Sequence, residues 1–233
     1  MPFPPDKKER YFTYEDYLSW GDDVQCELID GVIFTSTYPM KYKEGYFTYE
    51  DFLNFEDEVR YEIIDGNAYG LHAPSPIHQD ISRELTLIIA NFLKGKSCKM
   101  YYAPFIVRLN ADTKDDIVLQ PDIVVICDKS RQDKRSYKGA PKLVIEITSP
   151  ATAHQDKSHK FEKYLQAKVP EYWIVDIVKR CVSVNKLKDE KYVTKIYEEK
   201  DKIISSVLEG CEIDLADVFP KKEIKQVKYG FHN

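Results

Sequence analysis

Two short apolar runs, each tied to a carboxylate, limit what this chain can fold into more than any other feature. Gln120-Pro121-Asp122 leads into Ile123-Val124-Val125-Ile126, and further on comes Leu143-Val144-Ile145-Glu146-Ile147-Thr148. Runs of β-branched residues this short and this continuous are the pattern of strands buried on both faces. A carboxylate in such a run loses its hydration, at a cost that only a metal ion or a fixed basic group can offset. The pair Asp122 and Glu146 is therefore the first candidate for a site. A helix carrying Lys160 follows the second run.

The rest of the composition bounds the setting. With 233 residues, 43% of them hydrophobic, the chain can bury a substantial core. One main domain over 46–220 is expected, preceded by an extension over 1–45 and followed by a tail over 221–233. No run approaches the roughly 18 to 20 apolar residues of a membrane span, and Met1-Pro2-Phe3-Pro4-Pro5-Asp6-Lys7-Lys8 has no signal-peptide core, so a soluble, cytoplasmic protein is expected. Cys26, Cys98, Cys127, Cys181 and Cys211 are odd in number, widely spaced and without a CxxC pair. They read as reduced thiols rather than a disulfide framework or a zinc knuckle. A net charge of −5 argues against a broad, nonspecific grip on nucleic acid, so any phosphate contact needs a local patch. The best such patch is Lys129-Ser130-Arg131-Gln132-Asp133-Lys134-Arg135-Ser136-Tyr137-Lys138, which also reads as an ordinary solvated loop.

A duplication opens the chain. Tyr11-Phe12-Thr13-Tyr14-Glu15-Asp16-Tyr17-Leu18 recurs as Tyr46-Phe47-Thr48-Tyr49-Glu50-Asp51-Phe52-Leu53, and Glu27-Leu28-Ile29-Asp30-Gly31 as Glu62-Ile63-Ile64-Asp65-Gly66, 35 residues later each time. Each copy predicts a Thr-capped short helix and a strand ending in an Asp-Gly turn. The second copy continues into the main domain, and the first reads as an added cap or interaction element. Ile81, Leu85, Ile88, Ile89 and Phe92 then predict an amphipathic helix over 77–93 with His78 in its first turn. A strand over 98–109 is interrupted by Pro104, and beyond Pro170 the runs at 171–176, 181–184 and 192–197 predict an antiparallel meander. The class is α+β, or mixed α/β, with helices on a central sheet.

Taken in order, Tyr61-Glu62-Ile63-Ile64-Asp65-Gly66, Pro74-Ser75-x-x-His78, Gln120-Pro121-Asp122, Glu146-Ile147-Thr148-Ser149-Pro150, Asp156-x-x-x-Lys160-x-x-x-Tyr164 and Pro170-Glu171-Tyr172-Trp173-Ile174-Val175-Asp176 form a longer pattern. Over about 46–220 it resembles the restriction-endonuclease-like family of bacteria, abundant in cyanobacteria, within the PD-(D/E)XK nuclease superfamily. The resemblance implies a central mixed sheet flanked by helices, a divalent metal and phosphodiester hydrolysis, with DNA as substrate and a homodimer as the assembly. It also implies that Asp122, Glu146 and the carbonyl of Ile147 bind Mg²⁺, with Mn²⁺ as a substitute. The superfamily pattern wants a lysine two residues beyond the acid, where this chain has Thr148. The resemblance moves that role to Lys160, and it adds Glu62 and His78 as further catalytic or supporting groups.

Such chemistry needs a hard cation to neutralise the phosphate and to acidify an attacking water, and Mg²⁺ takes a few carboxylate and carbonyl oxygens while keeping waters. Structural roles compete for each residue. Asp122 after a proline could close a turn, Glu146 could pair with a core cation, and Asp156 with Lys160 has the spacing of a surface pair. His78 could be satisfied by a carbonyl, while Tyr164, Tyr172 and Trp173 read first as core packing and second as base-stacking rings. Two rivals to the endonuclease reading follow: a non-catalytic nuclease-fold protein, kept open by Thr148, and a hydrolase of a small phosphoester or nucleotide.

Overall fold

The computed structural model describes residues 26–29, 32–35, 45–55, 60–71, 73–148 and 159–220. The sequence repeat is a structural repeat. Strands β1 (Cys26–Ile29) and β2 (Val32–Thr35) form an antiparallel hairpin with Cys26 opposite Thr35. Strands β3 (Tyr61–Ile64) and β4 (Asn67–Gly70) repeat it in the same register, Tyr61 opposite Gly70. The second turn places Asp65 and Gly66 at φ 51° and 77°, the left-handed pair that a two-residue hairpin requires. Helix α1 (Tyr49–Leu53) precedes this hairpin, and the Asp51 carboxylate accepts both the N–H and the hydroxyl of Thr48 at 2.8 Å. The helix and the Asp30-Gly31 turn expected for the first copy, and the tail over 221–233, lie outside the described residues.

Helix α2 (Pro76–Leu93) starts where the sequence predicts. Pro76 fits the first helical position, and the Ser75 hydroxyl accepts the His78 N–H at 3.4 Å, which sets His78 in the first turn. The strand expected over 98–109 is two strands, β5 (Lys99–Tyr102) and β6 (Ile106–Arg108), in different sheets. Pro104 has no N–H to give a ladder, so the chain changes sheets there. Next come β7 (Val118–Leu119), β8 (Ile123–Ile126), β9 (Ser136–Lys138), β10 (Leu143–Thr148), helix α3 (Phe161–Gln166), β11 (Glu171–Asp176), β12 (Cys181–Lys188), β13 (Lys191–Glu198), β14 (Lys202–Ile204) and β15 (Glu212–Asp214).

The main sheet has the order β13-β12-β11-β10-β8-β5, with β10 and β11 parallel and the other pairs antiparallel, so the sheet is mixed and 171–198 is a meander. A second sheet, β4-β3-β7-β6-β9, brings the hairpin of the second copy beside it. Alternate residues of the central strands enter two cores. Ile123, Val125, Leu143, Ile145 and Ile147 meet Ile81, Leu85 and Ile89 of α2. Val124, Ile126, Val144 and Tyr172 meet Tyr164 of α3 and Val107 and Leu119 of the second sheet. Burial on both faces is why these strands read as unbroken apolar runs, and each buried Ile, Leu or Val contributes about 1.5–3 kcal/mol.

One expectation is overturned. Cys98 and Cys127 are joined in a disulfide, not reduced, and Cys211 is a free thiol. Lys99 pairs with Ile126 across β5 and β8, so Cys98 and Cys127 are the next facing residues, a proximity that a sequence separation of 29 hides. No helix among the described residues is long and apolar enough to cross a membrane.

Candidate active site

Asp122 stands at the entry to β8, and Glu146 lies inside β10. These strands pair with Ile145 opposite Ile123. Continued by one residue, that register sets Asp122 against Glu146, with facing Cα atoms about 4.5–5.5 Å apart by strand geometry. The Ile147 N–H donates to Asp122 Oδ2 at 2.7 Å. A strand residue turns its N–H and C=O to the same side, so the Ile147 carbonyl also lies on the edge of β10 that faces Asp122. His78 Nε2 reaches the same Asp122 oxygen at 3.2 Å from the first turn of α2. The other ring nitrogen, Nδ1, is buried and has no hydrogen-bond partner among the described residues.

Glu146 belongs to a second set of contacts. Lys160, at the start of α3, places its Nζ 3.2 Å from Glu146 Oε1 and 2.9 Å from Glu62 Oε2. The three side chains are 8%, 4% and 3% exposed, so this is a buried ammonium shared by two carboxylates from different sheets. Asp156 lies outside the described residues, and the burial of Lys160 is not that of a surface pair. The Tyr164 hydroxyl, one turn further along α3, donates to the same Glu146 oxygen at 2.7 Å. Burial, with Glu146 beside it, holds the Tyr164 pKa well above its ordinary 10.0, so the hydroxyl keeps its proton and remains a donor.

Glu62 is fixed from its other side. Its Oε1 accepts the Gln120 N–H at 2.7 Å, and the Gln120 amide donates to the Tyr61 carbonyl at 2.8 Å. Gln120 thus ties β3 to the segment that carries Asp122. Sequence reasoning quoted Gln120 and Tyr164 as part of a pattern without seeing these roles. For Tyr164 the signal was its spacing of four from Lys160, which puts both on one helix face. Thr148, in the place of the expected lysine, is 2% exposed and donates its hydroxyl to the Val175 carbonyl at 3.3 Å.

The basic segment over 129–138 is not part of this cluster. It follows the far end of β8, about 13 Å of strand away from Asp122. Two of its five positive charges meet neighbouring acids or carbonyls: Arg131 bonds Asp112 at 2.8 Å and the Lys138 carbonyl at 2.7 Å, and Lys138 lies 3.7 Å from Asp133.

Among the described residues no group of three or more His, Cys, Asp or Glu side chains is gathered closely enough to hold a metal ion. The smaller set that could hold a cation is the carboxylates of Asp122 and Glu146, whose positions face each other when the register is continued, with one main-chain carbonyl. That donor set is all oxygen, which suits a hard divalent ion that retains several waters.

The chain is similar to known proteins. Residues 44–216 match the Uma2 family, described as "Putative restriction endonuclease". "Uncharacterized protein slr1290" of Synechocystis sp. (strain ATCC 27184 / PCC 6803 / Kazusa) is 31% identical over 101 residues, and the match spans 41% of this chain and about half, 49%, of that protein. The crystal structure of a putative nuclease belonging to DUF820 from Anabaena variabilis ATCC 29413 superposes with a TM-score of 0.61 at 20% identity. That superposition covers 74% of this chain and 97% of the other. The fold is therefore restriction-endonuclease-like, and the family match over well more than half of the residues shows that this chain belongs to the Uma2 family of restriction-endonuclease-like proteins.

Proposed function

We propose that this protein is a metal-dependent endonuclease that hydrolyses phosphodiester bonds, with DNA as the substrate. The observation that carries the reading is the register that sets Asp122 against Glu146, with the buried Lys160 ammonium 3.2 Å from Glu146. Asp122, Glu146 and the Ile147 carbonyl would hold Mg²⁺ or Mn²⁺, and that ion, when bound, would withdraw charge from the phosphate and acidify a coordinated water.

The other residues keep this set in place. Tyr164 and Lys160 hold Glu146, and His78 and the Ile147 N–H hold Asp122. Lys160 also supplies a fixed positive charge in a site of low dielectric, where it would stabilise charge that develops on the phosphate or position the attacking water. Glu62 and Gln120 keep that ammonium aimed.

A second reading has its own support. An ammonium shared by two buried carboxylates is also a complete structural ion cluster, which suits a nuclease-fold protein without turnover. Nicking of supercoiled plasmid with Mg²⁺ or Mn²⁺ separates the two. The endonuclease reading expects nicking by the wild type and its loss, by at least about a hundredfold, in folded Asp122→Asn, Glu146→Gln and Lys160→Ala variants. Wild-type protein that nicks neither plasmid nor single strand under any divalent ion favours the second reading. A homodimer is proposed with either, and a single monomeric species in sedimentation at high concentration would remove it.

A further inference from the structure

Tyr102 is the last residue of β5 and pairs with Ile123, the residue after Asp122. The next N–H, that of Ala103, donates to the Asp122 carbonyl at 3.1 Å, so the main chain at 102–103 is bound to the candidate metal ligand. Facing residues of antiparallel strands share a face, which puts Tyr102 with Ile123 on the α2 side. The Asp122 side chain meets His78 of the first turn of α2, so the end of β5 lies near that turn. At this mouth Tyr102 is 62% exposed.

Its neighbour shows what a structural tyrosine does in the same strand. Tyr101 stacks on Phe105 with centroids 4.2 Å apart and bonds Gln132 at 3.2 Å. Tyr102 has no ring or hydrogen-bond partner among the described residues, so the contacts given for this large, exposed ring beside the site include none like those of Tyr101. The chain carries a net charge of −5, and its most basic segment lies at the other end of β8. Beside the candidate ion and the Lys160 ammonium, nucleic-acid affinity at this site gains from a contact that does not depend on charge. Base–aromatic stacking supplies it, and accepts any base because every base has a π-face.

We propose that Tyr102 is the platform for the base next to the reacting phosphodiester, so that the site takes nucleic acid with an unpaired nucleotide there: a single strand, an overhang or a frayed end. The inference rests on the nuclease reading above. An isolated ring can stack only on a base that has left its own stack, which a relaxed continuous duplex does not offer but the underwound regions of a supercoiled plasmid do.

The test uses a fluorescein-labelled oligonucleotide of mixed sequence, single-stranded or annealed, with Ca²⁺ in place of Mg²⁺ and fluorescence anisotropy as the readout. Tyr102→Ala should weaken single-strand binding about ten- to a hundredfold. Tyr102→Phe should bind as the wild type does, and the thermal melts of both variants should be unchanged. Duplex binding should be equal in all three proteins. A 5-bromouracil strand should also crosslink to residue 102. Single-strand binding unaltered in Tyr102→Ala, or an equal loss for duplex, overturns the platform and leaves the nuclease reading in place. Wild-type protein that binds neither form and nicks nothing overturns both.

Discussion

Replacing Lys160 with Met keeps the bulk of the side chain and removes its charge. Glu62 Oε2 and Glu146 Oε1, 2.9 and 3.2 Å from Nζ, would then face each other across a methyl group, each less than one-twentieth exposed. At an effective dielectric of 20, one contact near 3 Å is worth about 5 kcal/mol of gross attraction, much of it offset by the cost of drying the charges. Breaking a buried pair from one side leaves that cost without its compensation, a net loss of about 3–5 kcal/mol. With a urea m-value of about 2 kcal/mol/M the midpoint falls by about 1.5–2.5 M, and Tm falls by about 6–20 °C. Adding Glu62→Gln to the same protein removes one of the stranded charges and should recover at least about 1 kcal/mol, a non-additivity that identifies the pair. Urea melts by circular dichroism read the wild type, both single variants and the double variant. A loss below about 1 kcal/mol for Lys160→Met would mean a solvated lysine and would refute the buried cluster.

Other expectations follow from the same structure. Tyr164→Phe removes a hydrogen bond to a buried carboxylate and should cost about 1.5–3 kcal/mol at pH 7. Because burial raises the Tyr164 pKa above the 10.0 of the unfolded chain, its stabilising contribution is complete below pH 10 and is lost as pH rises beyond it, at up to about 1.4 kcal/mol per unit. Stability measured from pH 9 to 12 should therefore fall less steeply in Tyr164→Phe than in the wild type. The Cys98–Cys127 link closes a loop with a sequence separation of 29, so reduction should lower stability by about 3 kcal/mol, read as a shift between urea melts with and without dithiothreitol. Equal melts would show that the closed loop does not stabilise the fold.

The sequence displays single elements better than their pairings. The runs at 123–126 and 143–148 could be read as buried strands because both of their faces are apolar. The α2 face could be read from the spacing of Ile81, Leu85 and Ile89, and the duplicated hairpin from identical residues 35 apart. Asp122 and Glu146 could be named because charges near apolar runs require compensation, and Lys160 because the family resemblance moves the lysine role to that helix. Which charge compensates which depends on register and on helix placement. The partners of Lys160, the tie from Gln120 to Glu62 and the hydroxyl of Tyr164 on Glu146 needed the folded chain. The same holds for one misreading and one location. Cys98 and Cys127 become neighbours only through the β5–β8 register, and only the fold shows that the basic segment at 129–138 follows the end of β8 opposite Asp122.

Calorimetric titration of the metal-free protein with Mn²⁺ tests the central claim most directly, because it needs no substrate. Saturable binding by the wild type is expected, lost in both Asp122→Ala and Glu146→Ala variants whose circular dichroism shows them folded, and retained in Tyr102→Ala. A folded wild type that takes up no Mn²⁺, or binding that survives in both acid variants, would contradict the assignment of these two carboxylates to one metal site.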